Sequence, residues 1–337
     1  SIDFQSELNK FSKSINKSMI IDWHNKLKNI DYQIKTSDNP RLWLEIHLTS
    51  LIEKNNKESI INKSESETLS KKELINKQVL TENVINKSEG IYIEDTQGRK
   101  IMDFHGNSVH QVGHGHPRVV NAIKDQLDQL PFCPRRYTNQ TAIDLASKLA
   151  ELAPGNLNKM LFAPGGTNAI GMALKLARYA TGRHKTISMW DSFHGASLDA
   201  ISIGGESLFR KDVGPLMPGS EHIPPPKRGK CHFNCPDENH DGCIDYLKYV
   251  VEMEGDIGAL IAEPMRWTTV ELPPKNYWKR VRSICDENDI LLIFDEIPSA
   301  LGRTGKMFVC EHFDVVPDML VVGKGLGGGI FPMAALI

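Results

Sequence analysis

The chain has little that would mark it for a membrane, a nucleic acid or an oxidising compartment. No apolar run approaches the ~20 residues of a membrane-spanning helix, so no membrane partner is expected. Lys and Arg number 40 against 42 Asp and Glu, and the net charge of −2 offers no basic footprint for a nucleic acid. Six cysteines in 337 residues are too sparse for a disulfide scaffold. No charged-then-apolar leader opens the chain, so a cytoplasmic protein is expected. Glycine is missing from residues 1–88, which are rich in Lys, Asn, Ser and Ile. Helical apolar spacing appears there at Leu44, Leu48, Leu51 and Ile52, ahead of the largely polar stretch Lys54–Glu67. The stretch reads as a helical extension with a mobile link, and it shows no chemistry of its own.

What is present is ordinary globular material, 40% apolar and 24% charged, long enough for one large domain and a smaller one. From Gly90 the texture changes. GIYIEDTQGRKIMDF alternates around a polar turn at Asp95–Gly98 and predicts a hairpin. Apolar runs then alternate with helical segments. KMLFA precedes a helix expected from about Ala169 to Ala180, and KTISMW precedes ASLDAISI. IGALIAEP precedes a helix around Tyr277–Glu287, and ILLIFDE and MLVVGKG follow. Wholly apolar runs suit strands buried on both faces, and their alternation with helices implies an α/β domain with a mainly parallel sheet. The final FPMAALI reads as a strand interior, so the chain is expected to be incomplete at that end.

Two buried strands end in a charged residue, Asp295 and Lys324. Ligands of open α/β sheets sit beyond such strand ends. Desolvation lowers a lysine's pKa and leaves a neutral, nucleophilic amine, whereas the plain alternative is a lysine reaching solvent. Gly165–Gly166–Thr167 stands between a strand and a helix, where bare N–H groups and a hydroxyl suit a phosphate. An ordinary strand-to-helix turn has the same look. Ser192-Phe193-His194-Gly195 offers an aromatic to stack on a flat heterocycle, or simply a core Phe and a satisfied His. Their order along the chain is what gives them weight: phosphate cradle, stacking ring, carboxylate to hold a pyridine nitrogen protonated, and amine. Cys231, Cys235 and Cys243 cluster with His232 and His240 between them. The spacing matches no standard zinc signature, and only one side of a four-ligand site is visible, so no metal is assigned.

Residues 89–337 resemble the class III aminotransferases of the fold-type I pyridoxal 5'-phosphate (PLP) enzymes. The resemblance is carried by GIYIEDTQGRKIMDF, GHGHPRVVNAI, SFHG and above all LLIFDE with GRTGKMFVCEHFDVVPDMLVVGKGLGGG. It implies that Lys324 is the Schiff-base lysine and that Asp295 pairs with the pyridine nitrogen. Ile297 would lie beneath the ring and Phe193 above it, with His194 beside them and Gly166 and Thr167 on the phosphate. It implies homodimers or dimers of dimers. It also implies residues 89–150 as the start of a small domain and 151–337 as the PLP-binding large domain.

Departures from the family pattern point to the reaction. Where the family usually has Val-Gln after DE, this chain has Ile297–Pro298, and proline cannot hydrogen-bond a ring hydroxyl. Glu263–Pro264 is followed by Met265, Arg266, Trp267 and Thr268, without the family's gating Glu. Arg135 and Arg136 fall where the family carries substrate-side residues, and arginine binds phosphonate bidentately. With Arg266 and His110 they form the expected substrate set, and His105 and His110 are candidate acids. DFHGNSVHQVGHGHP with PRRYTNQ is most similar to a branch of ammonia-lyases acting on an amino-hydroxy-phosphonate. A small phosphonate- or phosphate-bearing amine is therefore the expected substrate. The alternatives are an aminotransferase for an ω-amine or acetylated diamine, and an inert PLP-fold protein.

Overall fold

The computed structural model describes residues 84–134, 136–229, 231–236 and 239–337. The expected helical extension lies outside them, as does Arg135. By its contacts the chain divides into Ser1–Val84 and Ile85–Ile337, and only the second unit is described below.

The unit opens with β1 (Ile85–Glu89), β2 (Tyr92–Asp95) and β3 (Lys100–Met102), a three-stranded antiparallel sheet. The expected turn is built by Asp95, whose Oδ1 accepts the Gln97 and Arg99 N–H groups at 2.9 Å each. Two helices follow, α1 (Pro117–Gln129) and α2 (Gln140–Leu152). Pro117 starts α1 where a missing N–H costs nothing, and the Asn139 side chain caps α2 by accepting from Ala142 N–H at 2.8 Å.

The main body alternates β4 (Leu161–Ala163), α3 (Gly166–Thr181), β5 (Lys185–Met189), α4 (Leu198–Ile203), α5 (Ser207–Arg210) and β6 (Ser220–Ile223). It continues through α6 (Asp241–Glu254), β7 (Ile257–Ala262), α7 (Tyr277–Glu287), β8 (Leu291–Asp295), β9 (Met319–Val322) and β10 (Ala334–Leu336). The seven strands pair in the order β4-β10-β9-β8-β7-β5-β6. β10 is antiparallel to both neighbours, so the other six run the same way.

Alternate residues feed two cores. Leu260, Leu292, Phe294 and Leu320 face α6 and α7, packing with Leu247, Trp278 and Val281. Ala259, Ile261, Ile293 and Val321 face α3, where Ala169, Ala173 and Ala177 let helix and sheet approach closely. That two-faced burial is why these strands are apolar throughout. Trp278 is the largest fully buried side chain; it meets Phe294 edge-on at 4.9 Å and donates to the Pro264 carbonyl at 2.9 Å. Trp278→Ala is expected to cost about 3–5 kcal/mol of stability, read as a lowered urea midpoint.

One boundary differs from expectation: α3 begins at Gly166 rather than near Ala169. Gly and Thr are poor helix formers by propensity, but in a first turn they are placed by what their free N–H groups face.

Candidate active site

Six parallel strands bring their carboxyl ends to one edge of the sheet. Gly165–Thr167 follows β4, Ser192–Gly195 follows β5, Glu263 follows β7, Asp295 ends β8, and Gly323–Lys324 follows β9. A cleft of about 360 Å³ opens there. Every residue expected to hold a cofactor lines it: Gly166, Thr167, Phe193, His194, Asp295, Ile297 and Lys324.

Asp295 is held from two sides. His194 Nδ1 lies 2.8 Å from its Oδ2, and Ile297 N–H donates to its Oδ1 at 3.1 Å. Both side chains of the His–Asp pair are shut off from solvent. A carboxylate so anchored keeps one position and orientation, so its charge can be aimed at a ligand.

Lys324 sits at φ +44, an uncommon conformation for a side-chain-bearing residue, at the turn leaving β9. Its Nζ lies 5.2 Å from the centroid of Trp267, which also lines the cleft. Burial pushes its pKa below the usual lysine range, while Asp295 and Glu263 pull it back up. Glu263 is itself buried, and burial pushes its carboxyl above the usual range. It accepts Phe193 N–H at 3.2 Å and Trp267 N–H at 3.3 Å, so it fixes the two loops that carry the cleft's aromatic rings.

The anion cradle is open because glycine keeps it open. A Cβ on Gly166 would come within 2.7 Å of Ile297 Cδ1. At Gly195, φ +134, a Cβ would run into the Thr167 side chain. His194 Nε2 is buried and has no hydrogen-bond partner among the described residues. These observations fit a bound phosphate-bearing heterocycle: an amine, a fixed carboxylate and a helix start all face one cavity of its size.

The expected substrate residues do not gather in this cleft. Arg266 points to a neighbouring cavity, its Nη2 3.7 Å from Glu206 Oε2. Arg136 is exposed and is not part of the lining. His110, next in sequence to the cleft residue Val109 but not itself in the lining, stacks on His114 at 4.1 Å, with its Nε2 3.5 Å from Asp103 Oδ2. His105 is exposed and accepts Asn107 N–H through Nδ1 at 3.1 Å. Residues with no assigned role at the sequence level also line the cleft, notably Trp267 and the turn Gly329–Met333. Their signal was the break after Glu263–Pro264 and the glycine run after Lys324.

Comparison with known proteins gives a consistent picture. The family model described as aminotransferase class-III matches residues 75–337. An (R)-1-hydroxy-2-aminoethylphosphonate ammonia-lyase of Vibrio splendidus is 53% identical over 75% of this chain and 56% of its own length. An acetylornithine aminotransferase of Methanopyrus kandleri is 37% identical over 74% of this chain and 60% of its own. The chain thus spans little more than half the length of the curated relatives it matches. Among solved structures, an omega transaminase of Pseudomonas jessenii superposes with a TM-score of 0.72 at 29% identity, over 77% of this chain and 60% of that one. A PLP-bound amine transaminase from an uncultivated Pseudomonas species gives 0.71 at 31%, over 76% and 61%.

Proposed function

The chain belongs to the class-III aminotransferase family, and from that premise we propose that it is a PLP-dependent ammonia-lyase acting on an amino-hydroxy-phosphonate such as (R)-1-hydroxy-2-aminoethylphosphonate. The observation that carries this reading is that Lys324, Asp295 and the Gly165–Thr167 anion cradle all line one cleft. The ammonia-lyase relative, far more similar than the transaminases, supports the choice of reaction.

When bound, PLP supplies an electron-withdrawing ring that makes a C–H bond beside an attached amine acidic. Gly166 and Thr167 would hold its phosphate, and Phe193 and Ile297 its two faces. Asp295, fixed by His194, would face the ring nitrogen. Lys324 would carry the cofactor and take the proton from the amine-bearing carbon at Nζ. The adjacent hydroxyl would leave with a proton as water, and hydrolysis of the released enamine would consume one water, so the net products would be phosphonoacetaldehyde and ammonia with no redox change. Thr268, standing at the place of the gating Glu, leaves no acid there to gate an exchange between donor and acceptor.

Arg135 and Arg136 would hold the phosphonate, with Arg136, exposed and outside this cleft, reaching the active site of a second copy. The support is the exposure of large apolar side chains: Phe132 and Tyr137, near these arginines in sequence, are 75% and 74% exposed, Phe331 of the cleft lining is 63% exposed, and Phe104 is 92% exposed. A homodimer or dimer of dimers would cover them. We place the protein in the cytoplasm: the six cysteines are free, and among the described residues no helix is long and apolar enough to cross a membrane.

The deciding experiment is incubation with (R)-1-hydroxy-2-aminoethylphosphonate and no keto acid. Ammonia and phosphonoacetaldehyde should form together over many turnovers. A single turnover that stalls until a keto acid is added would establish the aminotransferase instead. Arg136→Ala is expected to raise KM by roughly 10- to 100-fold, the scale of a lost charged hydrogen bond, with a smaller change in kcat. Gly195→Ala is expected to weaken PLP retention on dialysis while leaving the far-ultraviolet circular dichroism unchanged, because the added methyl intrudes on Thr167.

A further inference from the structure

Between β6 and α6 the fold completes what the sequence showed by half. Cys231 opens the segment, Cys235 follows a turn at Asn234 (φ +52), His240 is the cap residue of α6, and Cys243 lies in its first turn. Three thiols and an imidazole thereby meet with one ligand atom from each, all within 4.8 Å of one another. Cys231 Sγ and Cys243 Sγ are 3.3 Å apart, and His240 Nδ1 is 3.5 Å from Cys243 Sγ. Tetrahedral zinc with ~2.3 Å Zn–S bonds spaces its sulfurs at about 3.8 Å, so small movements seat one ion. Three of the four side chains are buried and Cys235 is half-buried.

One detail shows the segment is shaped around sulfur. Gly242 permits the closure: a Cβ there would stand 3.1 Å from Cys235 Sγ and 2.9 Å from Phe233 Cβ. The remaining cysteines, Cys133, Cys285 and Cys310, take no part in a ligand cluster among the described residues.

We propose that Cys231, Cys235, His240 and Cys243 bind one zinc ion. Thiolates favour zinc over magnesium or calcium, and four protein ligands leave no open position, so the ion is structural rather than catalytic. It clamps the loop to the start of α6. That loop's His232 and Phe233 line a cavity with Trp190 and Asp191, and Phe193 follows two residues on, so the clamp braces the wall behind the stacking ring.

The test is metal analysis of the full chain, purified under reducing conditions from zinc-containing medium and dialysed against EDTA. One zinc per chain is expected to remain. Cobalt(II) in its place should give the visible bands of a tetrahedral thiolate site. Cys235→Ser and His240→Ala should lose the ion, while His240→Cys, which restores a four-ligand set, should retain it. Wild-type protein holding less than about a tenth of an equivalent of zinc and forming no cobalt chromophore would overturn the proposal. So would a Cys231–Cys243 disulfide found by mass spectrometry in freshly reduced and re-isolated protein.

Discussion

Lys324→Ala is expected to lower kcat by roughly 10³- to 10⁴-fold, the scale for losing a nucleophile that is also the proton-transfer group. PLP should still associate through the cradle, but borohydride should no longer trap it on the chain. Stability should not fall. The wild-type amine is desolvated in the cleft, and its removal relieves that cost. A structural role predicts the reverse, a lowered melting temperature with activity retained in the molecules still folded. The pH dependence separates the readings further. Burial lowers the Lys324 pKa, so its neutral form is present at a lower pH than in a free lysine of ~10.4. The rate of PLP capture by the apoenzyme should rise with pH and level off below that value. Asp295 and Glu263 oppose the shift, so Glu263→Gln should move the midpoint lower still. A plateau reached only above pH 10.4, or a Glu263→Gln midpoint that moves upward, would contradict the assignment.

The gathering of the expected cofactor residues in one cleft was legible because each part sits at a strand end, where chemistry and local sequence coincide. Asp295 and Lys324 each terminate a wholly apolar run, and Gly165–Gly166–Thr167 interrupts the change from strand to helix. Such features need no knowledge of long-range packing. The substrate half depends on which way a side chain leaves its loop. Arg266 and Trp267 are neighbours, yet Trp267 enters the cleft and Arg266 turns toward Glu206. Nothing in their spacing distinguishes them, because Glu263, 70 residues from the Phe193 it also binds, sets the course of that loop. The fourth ligand of the cysteine cluster was hidden for a similar reason. His240 and His232 are equally placed in sequence, and only the start of α6 at Asp241 turns His240 inward while His232 stays exposed. The antiparallel β10 was equally out of reach, since three apolar residues carry no mark of direction.

Asp295→Asn is the second large effect, expected to lower kcat by about 10²- to 10³-fold, the range for removing one preorganised electrostatic partner. The substitution keeps size and shape, and its amide oxygen can still accept from Ile297 N–H, so the loop after β8 should stay in place. What disappears is the negative charge that would hold a ring nitrogen protonated, and with it the ring's ability to draw electrons from the bond being broken. The loss should therefore fall on kcat rather than on PLP affinity, and the bound cofactor's absorbance should shift as its ring nitrogen loses the proton. His194 acts one step removed, through its 2.8 Å contact with Asp295 Oδ2. His194→Ala should cost less than D295N, since the carboxylate remains but is no longer aimed. Because His194 acts only through that carboxylate, adding His194→Ala to D295N should cost far less than the product of the two single effects. Strictly multiplicative losses would show that the two residues act independently, and the carboxylate's placement would then need another explanation.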